Sequence, residues 1–129
     1  MSRVIIKLSS CETPITIIPV DDEALKVESI RNNIGDSSSE SSMSILYKCF
    51  EGMPEVMVIC DALGILKELP VTIQLPDHQI AGDVVICEFR SKDEKEEYDF
   101  YGMSIEKSAK VLKLLFPYGM NMVTLGGWK

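Results

Sequence analysis

The residues of this chain that could perform chemistry are few, and they stand apart from one another. His78 is the one histidine, and Asp77 is too near it in sequence to establish a catalytic dyad. An exposed loop at 76–79 explains this histidine better than a general base does. The paired carboxylates Asp21-Asp22 and Asp93-Glu94 are typical of a helix cap and of a solvated hairpin end. We therefore predict that the chain is not an enzyme and has no catalytic residues.

The cysteines and glycines do not form a recognisable metal or phosphate site. The four cysteines are Cys11, Cys49, Cys60 and Cys87. Zinc sites use cysteine pairs separated by only a few residues, and no pair here is that close. Gly126-Gly127 is not followed by the Lys-Ser or Lys-Thr of a phosphate loop. We expect no bound metal and no cofactor, with Cys49, Cys60 and Cys87 as buried, reduced thiols in apolar strand-like runs.

The charge balance permits a basic partner. Twenty acidic residues against thirteen basic ones give a formal net charge of −7. This charge repels phosphate groups, so we do not expect direct binding to nucleic acid. The same acidity also helps to keep a small protein in solution, and this simpler explanation stays open.

The chain length and hydropathy pattern predict one intracellular domain. A chain of 129 residues suits a single globular domain over 1–129. The serine-rich stretch at 36–43 is too polar to enter a core, and we expect it to form a flexible loop. The sequence shows neither an export leader nor an apolar run long enough for a membrane helix, so we expect a cytoplasmic location.

Apolar periodicity predicts an α+β (α/β) fold, with a mixed, mainly antiparallel sheet of about five to six strands and two helices. The strand-like segments lie at 4–8, 15–20, 45–50, 56–60, 71–75, 84–89 and 98–101. The first two form a hairpin, and 45–50 pairs with 56–60 at the centre of the sheet. Pro70 and Pro76 confine 71–75 to a short or edge segment.

Two helices are predicted from their caps and apolar spacing. The first is capped by Asp21-Asp22, is stopped by Gly35, and carries an apolar stripe of Ala24, Val27, Ile30 and Ile34. The second is capped by Ser104, is stopped by Pro117, and carries a stripe of Ile105, Ala109, Leu112 and Leu115 or Phe116.

Two groups of residues are candidates for binding a partner protein. The acidic group lies at the predicted hairpin end and contains Asp93, Glu94, Glu96 and Glu97. The apolar group lies in the C-terminal tail and contains Met120, Met122 and Trp128, residue types that adapt to or anchor a partner. Internal packing of the tail, or homodimerisation through it, would explain the apolar group as well.

Part of the chain resembles a family of phage and mobile-element proteins known as domain of unknown function 3846. The resemblance covers about half of the chain and lies in VMVICD at 56–61, GILKELP at 64–70, IAGDVVI at 80–86 and the serine-capped helix at Ser104. Val71-Thr72 stands where members of the family carry a polar pair after the proline. The family has no established activity, so the resemblance implies a biological setting and no reaction.

The charge and the resemblance together lead to a functional hypothesis. We expect a non-enzymatic accessory protein of a phage or mobile element that binds and inhibits a host protein. The partner could be a nucleic-acid-handling defence enzyme, with an anti-CRISPR-type or other anti-defence inhibitor as one instance. Two alternatives stay open. One is a small-ligand or nucleotide-binding protein with an anion site between Gly82 and the helix start at Ser104, and the other is a structural homo-oligomer.

Overall fold

The computed structural model describes residues 3–9, 15–34, 43–62, 68–69, 71–74, 79–92, 97–117 and 123–128. The strands in these ranges are β1 (Arg3–Leu8), β2 (Ile15–Val20), β3 (Met43–Leu46), β4 (Val56–Asp61), β5 (Val71–Gln74), β6 (Gln79–Ala81), β7 (Val84–Lys92), β8 (Glu97–Tyr101), β9 (Met103–Ser104) and β10 (Val123–Leu125). The helices are α1 (Val27–Asn33) and α2 (Ile105–Leu115).

Eight of the described strands form one mixed sheet. The strand order is β10-β2-β1-β7-β4-β3, while β8 pairs with the outer half of β7 and β9 pairs with the start of β1. Only β10 and β2 run parallel among these pairs. Strands β5 and β6 form a separate two-stranded ribbon. The predicted α+β class is confirmed, but the sheet has more strands than expected because β9 and β10 are too short to give a sequence pattern.

The sheet is buried on both faces. One face packs against α2 and the β5–β6 ribbon, with Val58 and Ile86 at its centre; we call it the α2 face. The other packs against α1, with Ile59 and Val85 at its centre; we call it the α1 face. Every residue of β4 is buried, as expected for a strand whose apolar residues do not alternate with polar ones.

Helix α1 begins later than predicted, and Asp21-Asp22 do not cap it. The N-cap residue is Lys26, which makes no side-chain cap hydrogen bond. The backbone N–H of Leu25 donates to the carbonyl of Phe100 at 2.7 Å, and the Leu25 side chain is buried. This anchor holds the segment 21–26 against β8 in an irregular path, so the helix starts only at Val27.

Helix α2 is capped as predicted, but its buried stripe differs. The Ser104 side chain accepts a hydrogen bond from the Lys107 backbone N–H at 3.1 Å. The buried residues are Ser108, Val111 and Leu112, whereas Ile105 and Ala109 are exposed, which corrects the predicted stripe. Ser108 is accommodated because its hydroxyl donates to the carbonyl of Ile105. No helix in the described ranges is long and apolar enough to cross a membrane.

Strand β3 is shorter than predicted and lies at an edge of the sheet instead of at its centre. It ends at Leu46 and forms an edge of the main sheet, whereas its partner β4 lies inside the sheet. Cys49 therefore lies in the connection to β4 and is only partly buried. Met43, the last residue of the predicted serine-rich loop, begins β3, and residues 36–42 lie outside the described residues.

Gly102, between β8 and β9, allows the close approach of three strands. A Cβ atom at this position would lie 2.5 Å from Val20 Cγ2, 2.9 Å from Arg3 Cβ and 3.3 Å from the backbone nitrogen of Val4. We predict that Gly102→Ala lowers the free energy of unfolding by about 1–3 kcal/mol, because Arg3 Cβ and the Val4 nitrogen are held in place by the backbone of β1.

The measurement is urea unfolding, with Gly127→Ala as the matched control. A Cβ at Gly127 meets nothing within 4 Å, so this control should change the unfolding free energy by less than about 0.5 kcal/mol. Equal stability of the two variants would contradict the strand junction described here.

Candidate partner-binding groove

A buried carboxylate lies where β1 and β7 separate. Residues 84–86 of β7 pair with β1, whereas residues 88–92 pair with β8, so Glu88 stands at the branch point. Glu88 Oε1 accepts a hydrogen bond from Lys107 Nζ at 3.2 Å and lies 4.0 Å from Arg90 Nε. Its Oε2 faces Arg3 Nη1 at 3.5 Å, an ion pair without hydrogen-bond geometry. Three cations thus compensate one carboxylate that is only 9% exposed.

The ion pairs around Glu88 extend to two further carboxylates. Lys107 Nζ lies 2.7 Å from Glu55 Oε1. Asp22 Oδ1 lies 3.2 Å from Arg90 Nη2 and 3.6 Å from Arg3 Nε. The Arg90 guanidinium also stacks over the ring of Tyr101, with its Cζ 4.3 Å from the ring centre. The segment that follows β2 is therefore held to the β7–β8 hairpin by electrostatic contacts.

Two pKa values respond to this cluster. The hydrogen bond from Lys107 lowers the pKa of Glu55 below the usual glutamate value. Burial alone would lower the pKa of Lys107, but its hydrogen bonds to Glu55 and Glu88 outweigh burial and raise that pKa. Both shifts favour the charged forms of Glu55 and Lys107.

A groove of about 1010 Å³ opens beside this cluster. Its lining includes Asp21, Asp22, Glu23, Lys26, Arg3 and Trp128. One wall is the irregular segment 21–26, fixed by the buried Leu25 side chain and by the ion pairs of Asp22. We call this site the Trp128 groove.

Trp128 reaches the groove because of the last strand. Strand β10 pairs with β2, and the Gly126 backbone N–H donates to the carbonyl of Ile17 at 3.0 Å. The chain then brings Trp128 against the α1 face, where its ring packs on the buried cluster and stays partly exposed. The tail is therefore packed internally in part, one of the options that the sequence left open.

The structure describes only some of the predicted partner-binding residues. Trp128 lies in the groove, and Glu97 begins β8 opposite Lys92. Five of the predicted partner-binding residues lie outside the described residues: Asp93, Glu94, Glu96, Met120 and Met122. His78 lies outside them too.

Strand β7 contacts the groove lining through the ion pair of Arg90 with Asp22. Arg90, whose side chain contacts the groove residue Asp22, lies opposite Asp99 in the register of β7 and β8. The Lys92–Glu97 pair is two residue positions further along the strands, or about 7 Å. Three residues of the predicted acidic group, Asp93, Glu94 and Glu96, follow β7 in the chain and lie outside the described residues.

The proposed anion site between Gly82 and Ser104 is not brought together. Val84, just after Gly82, pairs with Leu8, whereas Ser104 pairs with Arg3. These pairs lie at opposite ends of β1, more than about 16 Å apart. The Ser104 side chain already accepts from the first turn of α2.

The described cysteines are free thiols. Cys60 and Cys87 are buried and Cys49 is partly buried, and burial raises the pKa of all three. Within the described ranges no group of three or more His, Cys, Asp or Glu side chains could hold a metal ion.

Comparisons with protein-family models, with curated proteins and with solved structures found no match. The acidic residues 21–23 were missed as part of a site because their role depends on Arg3, Arg90 and Trp128, which are distant in sequence and become neighbours only in the fold.

We predict that Lys107→Met lowers the free energy of unfolding by about 1–2 kcal/mol at neutral pH, since Glu88 keeps only two of its three cations. The variant should also change the pH dependence. The lowered pKa of Glu55 contributes stability above the unfolded-state pKa, and this contribution is lost as pH falls through the folded-state pKa. Without Lys107 this acid-range loss becomes smaller.

The measurement is urea unfolding across the acid range, together with an NMR titration of Glu55. Lys110→Met, which removes an exposed lysine outside the cluster on the same helix, is the control. An unchanged Glu55 titration in Lys107→Met would show that the cluster does not set this pKa.

Proposed function

We propose that this chain is a non-enzymatic accessory protein of a phage or mobile element that binds and inhibits a basic host protein. The observation that carries the proposal is the meeting of Trp128 with the carboxylates of residues 21–23 around one groove. An aromatic ring and carboxylates are the groups that bind arginine and lysine side chains.

The charges of the groove favour a cationic segment. Arg3 and Arg90 already compensate Asp22. Asp21 and Glu23 are exposed and form no ion pair with any described residue, and Lys26 is the remaining cation of the lining. The two free carboxylates can therefore pair with incoming guanidinium or ammonium groups, while the exposed part of the Trp128 ring supplies a cation–π or stacking surface.

The size of the groove favours a chain segment over a single small molecule. A volume of about 1010 Å³ is at the upper end of small-ligand pockets. It accommodates several side chains of an extended basic loop or tail.

The partner class follows from this chemistry and from the acidic hairpin. Residues 93–97, whose sequence carries four carboxylates and one lysine, follow β7, the strand whose Arg90 contacts the groove residue Asp22. A protein whose basic surface normally binds nucleic acid, such as a defence nuclease, offers the complementary charge. Occupation of that surface would exclude the nucleic acid and so inhibit the enzyme.

The binding chemistry can be tested through the intrinsic fluorescence of Trp128, the one tryptophan in the chain. The probe is an arginine-rich peptide, and a glutamate-rich peptide of equal length is the comparison. We expect the arginine-rich peptide to change the fluorescence and the glutamate-rich peptide to leave it unchanged. The double variant Asp21→Lys, Glu23→Lys should weaken binding at least about tenfold, because two attractive charges become repulsive.

The control for net charge is Glu106→Lys, Glu28→Lys. Both residues are exposed and neither lines the groove, so this double variant should keep most of the affinity. An equal loss of peptide affinity in both double variants would show that net charge, and not the groove, determines binding. A fluorescence response to nucleotides instead of the arginine-rich peptide would contradict the proposal.

The inhibitory role needs a separate assay with a purified defence nuclease from a host of the element. We expect inhibition at low salt that weakens as salt rises, because screening reduces the attraction. Charge reversal at Asp93, Glu94, Glu96 and Glu97 should weaken inhibition further. Binding of the nuclease without loss of cleavage would retain the binding role and reject the inhibitory one.

A further inference from the structure

The outer edge of β10 carries backbone groups that point away from the sheet. The Gly126 N–H bonds to Ile17, and Leu125 is registered with Ile17. In a parallel ladder alternate residues direct both backbone groups to the neighbouring strand. Thr124 and Gly126 therefore face β2, whereas the N–H and C=O groups of Val123 and Leu125 point outward.

The side chains at this edge are apolar and exposed. Val123 and Leu125 are registered with Ile15 and Ile17, two residues of the α2 face cluster. They are 44% and 80% exposed, and Leu125 is the most exposed large apolar side chain in the described ranges.

An apolar row thus runs across the sheet and ends in solvent. Leu125 is registered with Ile17, which pairs with Ile6, followed by Ile86 and Val58. The last three are fully buried. At the β3 end of the row Leu46 is partly buried, whereas at the β10 end Leu125 is exposed.

We propose that a second copy of this chain covers the edge, with the two β10 strands paired antiparallel about a two-fold axis. The axis passes beside Thr124, so that Val123 of each copy lies opposite Leu125 of the other. These are hydrogen-bonded pairs, and each exchanges two N–H to C=O bonds. The four bonds satisfy every outward backbone group of residues 123 and 125 in both copies.

The side-chain pattern of β10 is complementary to itself. The order apolar, polar, apolar in Val123-Thr124-Leu125 reads the same in both directions. Two-fold pairing therefore places Val123 against Leu125 twice on one face and Thr124 against Thr124 on the other, which are favourable cross-strand pairs.

The two-fold arrangement also fits better than its alternatives. Natural edge strands are protected by short length, charged residues, proline or bulges, and β10 is short but has none of the other three. Pairing of β10 with β3, the other edge of the sheet order, would be head-to-tail and would leave an open edge for further copies. Antiparallel β10 pairing closes after two copies. The paired segment is short, so the dimer is weak and dissociates on dilution.

The first test is sedimentation of the full chain over a range of concentrations. We expect a reversible monomer–dimer equilibrium, and Leu125→Asp should weaken it at least about tenfold, because a carboxylate replaces the apolar contact in both pairs. The control is Leu114→Asp on α2, which removes an equally large exposed apolar side chain away from β10. A monomer at all concentrations, or equal weakening by both variants, would overturn the proposal.

The second test fixes the pairing geometry and does not depend on the strength of the dimer. Thr124 lies opposite Thr124 in a non-hydrogen-bonded pair, whose Cα atoms are about 4.5 Å apart, within the range of a disulfide. Thr124→Cys should therefore form a symmetric disulfide dimer under a mild oxidant, with the bond mapped to position 124 by mass spectrometry. Leu125→Cys should not link to itself, because its counterpart lies opposite Val123. The reverse pattern, or no link at 124, contradicts the antiparallel two-fold arrangement.

Discussion

The arrangement of this protein depends on one buried carboxylate. Glu88 sits where β1 and β7 diverge and is surrounded by Arg3, Arg90 and Lys107. These cations belong to β1, β7 and α2. The ion pairs that compensate the Glu88 carboxylate therefore fix the relative positions of three elements. A buried charge without such partners would cost several kcal/mol, and an alternative packing that separates any of the three from Glu88 is penalised accordingly.

The groove is a consequence of the same compensation. Arg3 and Arg90 each contact both Glu88 and Asp22, which draws the segment after β2 towards the β7–β8 hairpin. The carboxylate of Asp22 is paired with Arg3 and Arg90. Its neighbours Asp21 and Glu23 stay exposed at the rim of the groove. The cluster that stabilises the fold therefore also determines which carboxylates are available to a partner. Trp128 also lines the groove, because the pairing of β10 with β2 brings the end of the chain to it.

Much of the fold could be predicted from local sequence, because the signals are strong where apolar residues are continuous. Strands β1, β2 and β4 and the serine cap of α2 were found within a residue or two. The N-terminus of α1 was misplaced because Asp21-Asp22 resembles a cap, and only the long-range hydrogen bond between Leu25 and Phe100 shows that the backbone is held elsewhere. Strand β10 was missed because three residues between glycine-rich and methionine-rich segments give no period. In the candidate site, Trp128 was predicted from its residue type alone. The acidic residues beside it could not be predicted, since ion pairs between residues distant in sequence produce no pattern of sequence spacing.

The central claim is that the groove between the segment 21–26 and Trp128 binds a cationic chain segment. The most direct measurement is an NMR titration of the labelled protein with an arginine-rich peptide, following every backbone amide and the Trp128 indole N–H. The account predicts shifts concentrated in residues 20–26 and at the Trp128 indole, with residues of α2 unaffected. Shifts centred on α2, or no shift at the Trp128 indole at saturating peptide, would contradict it.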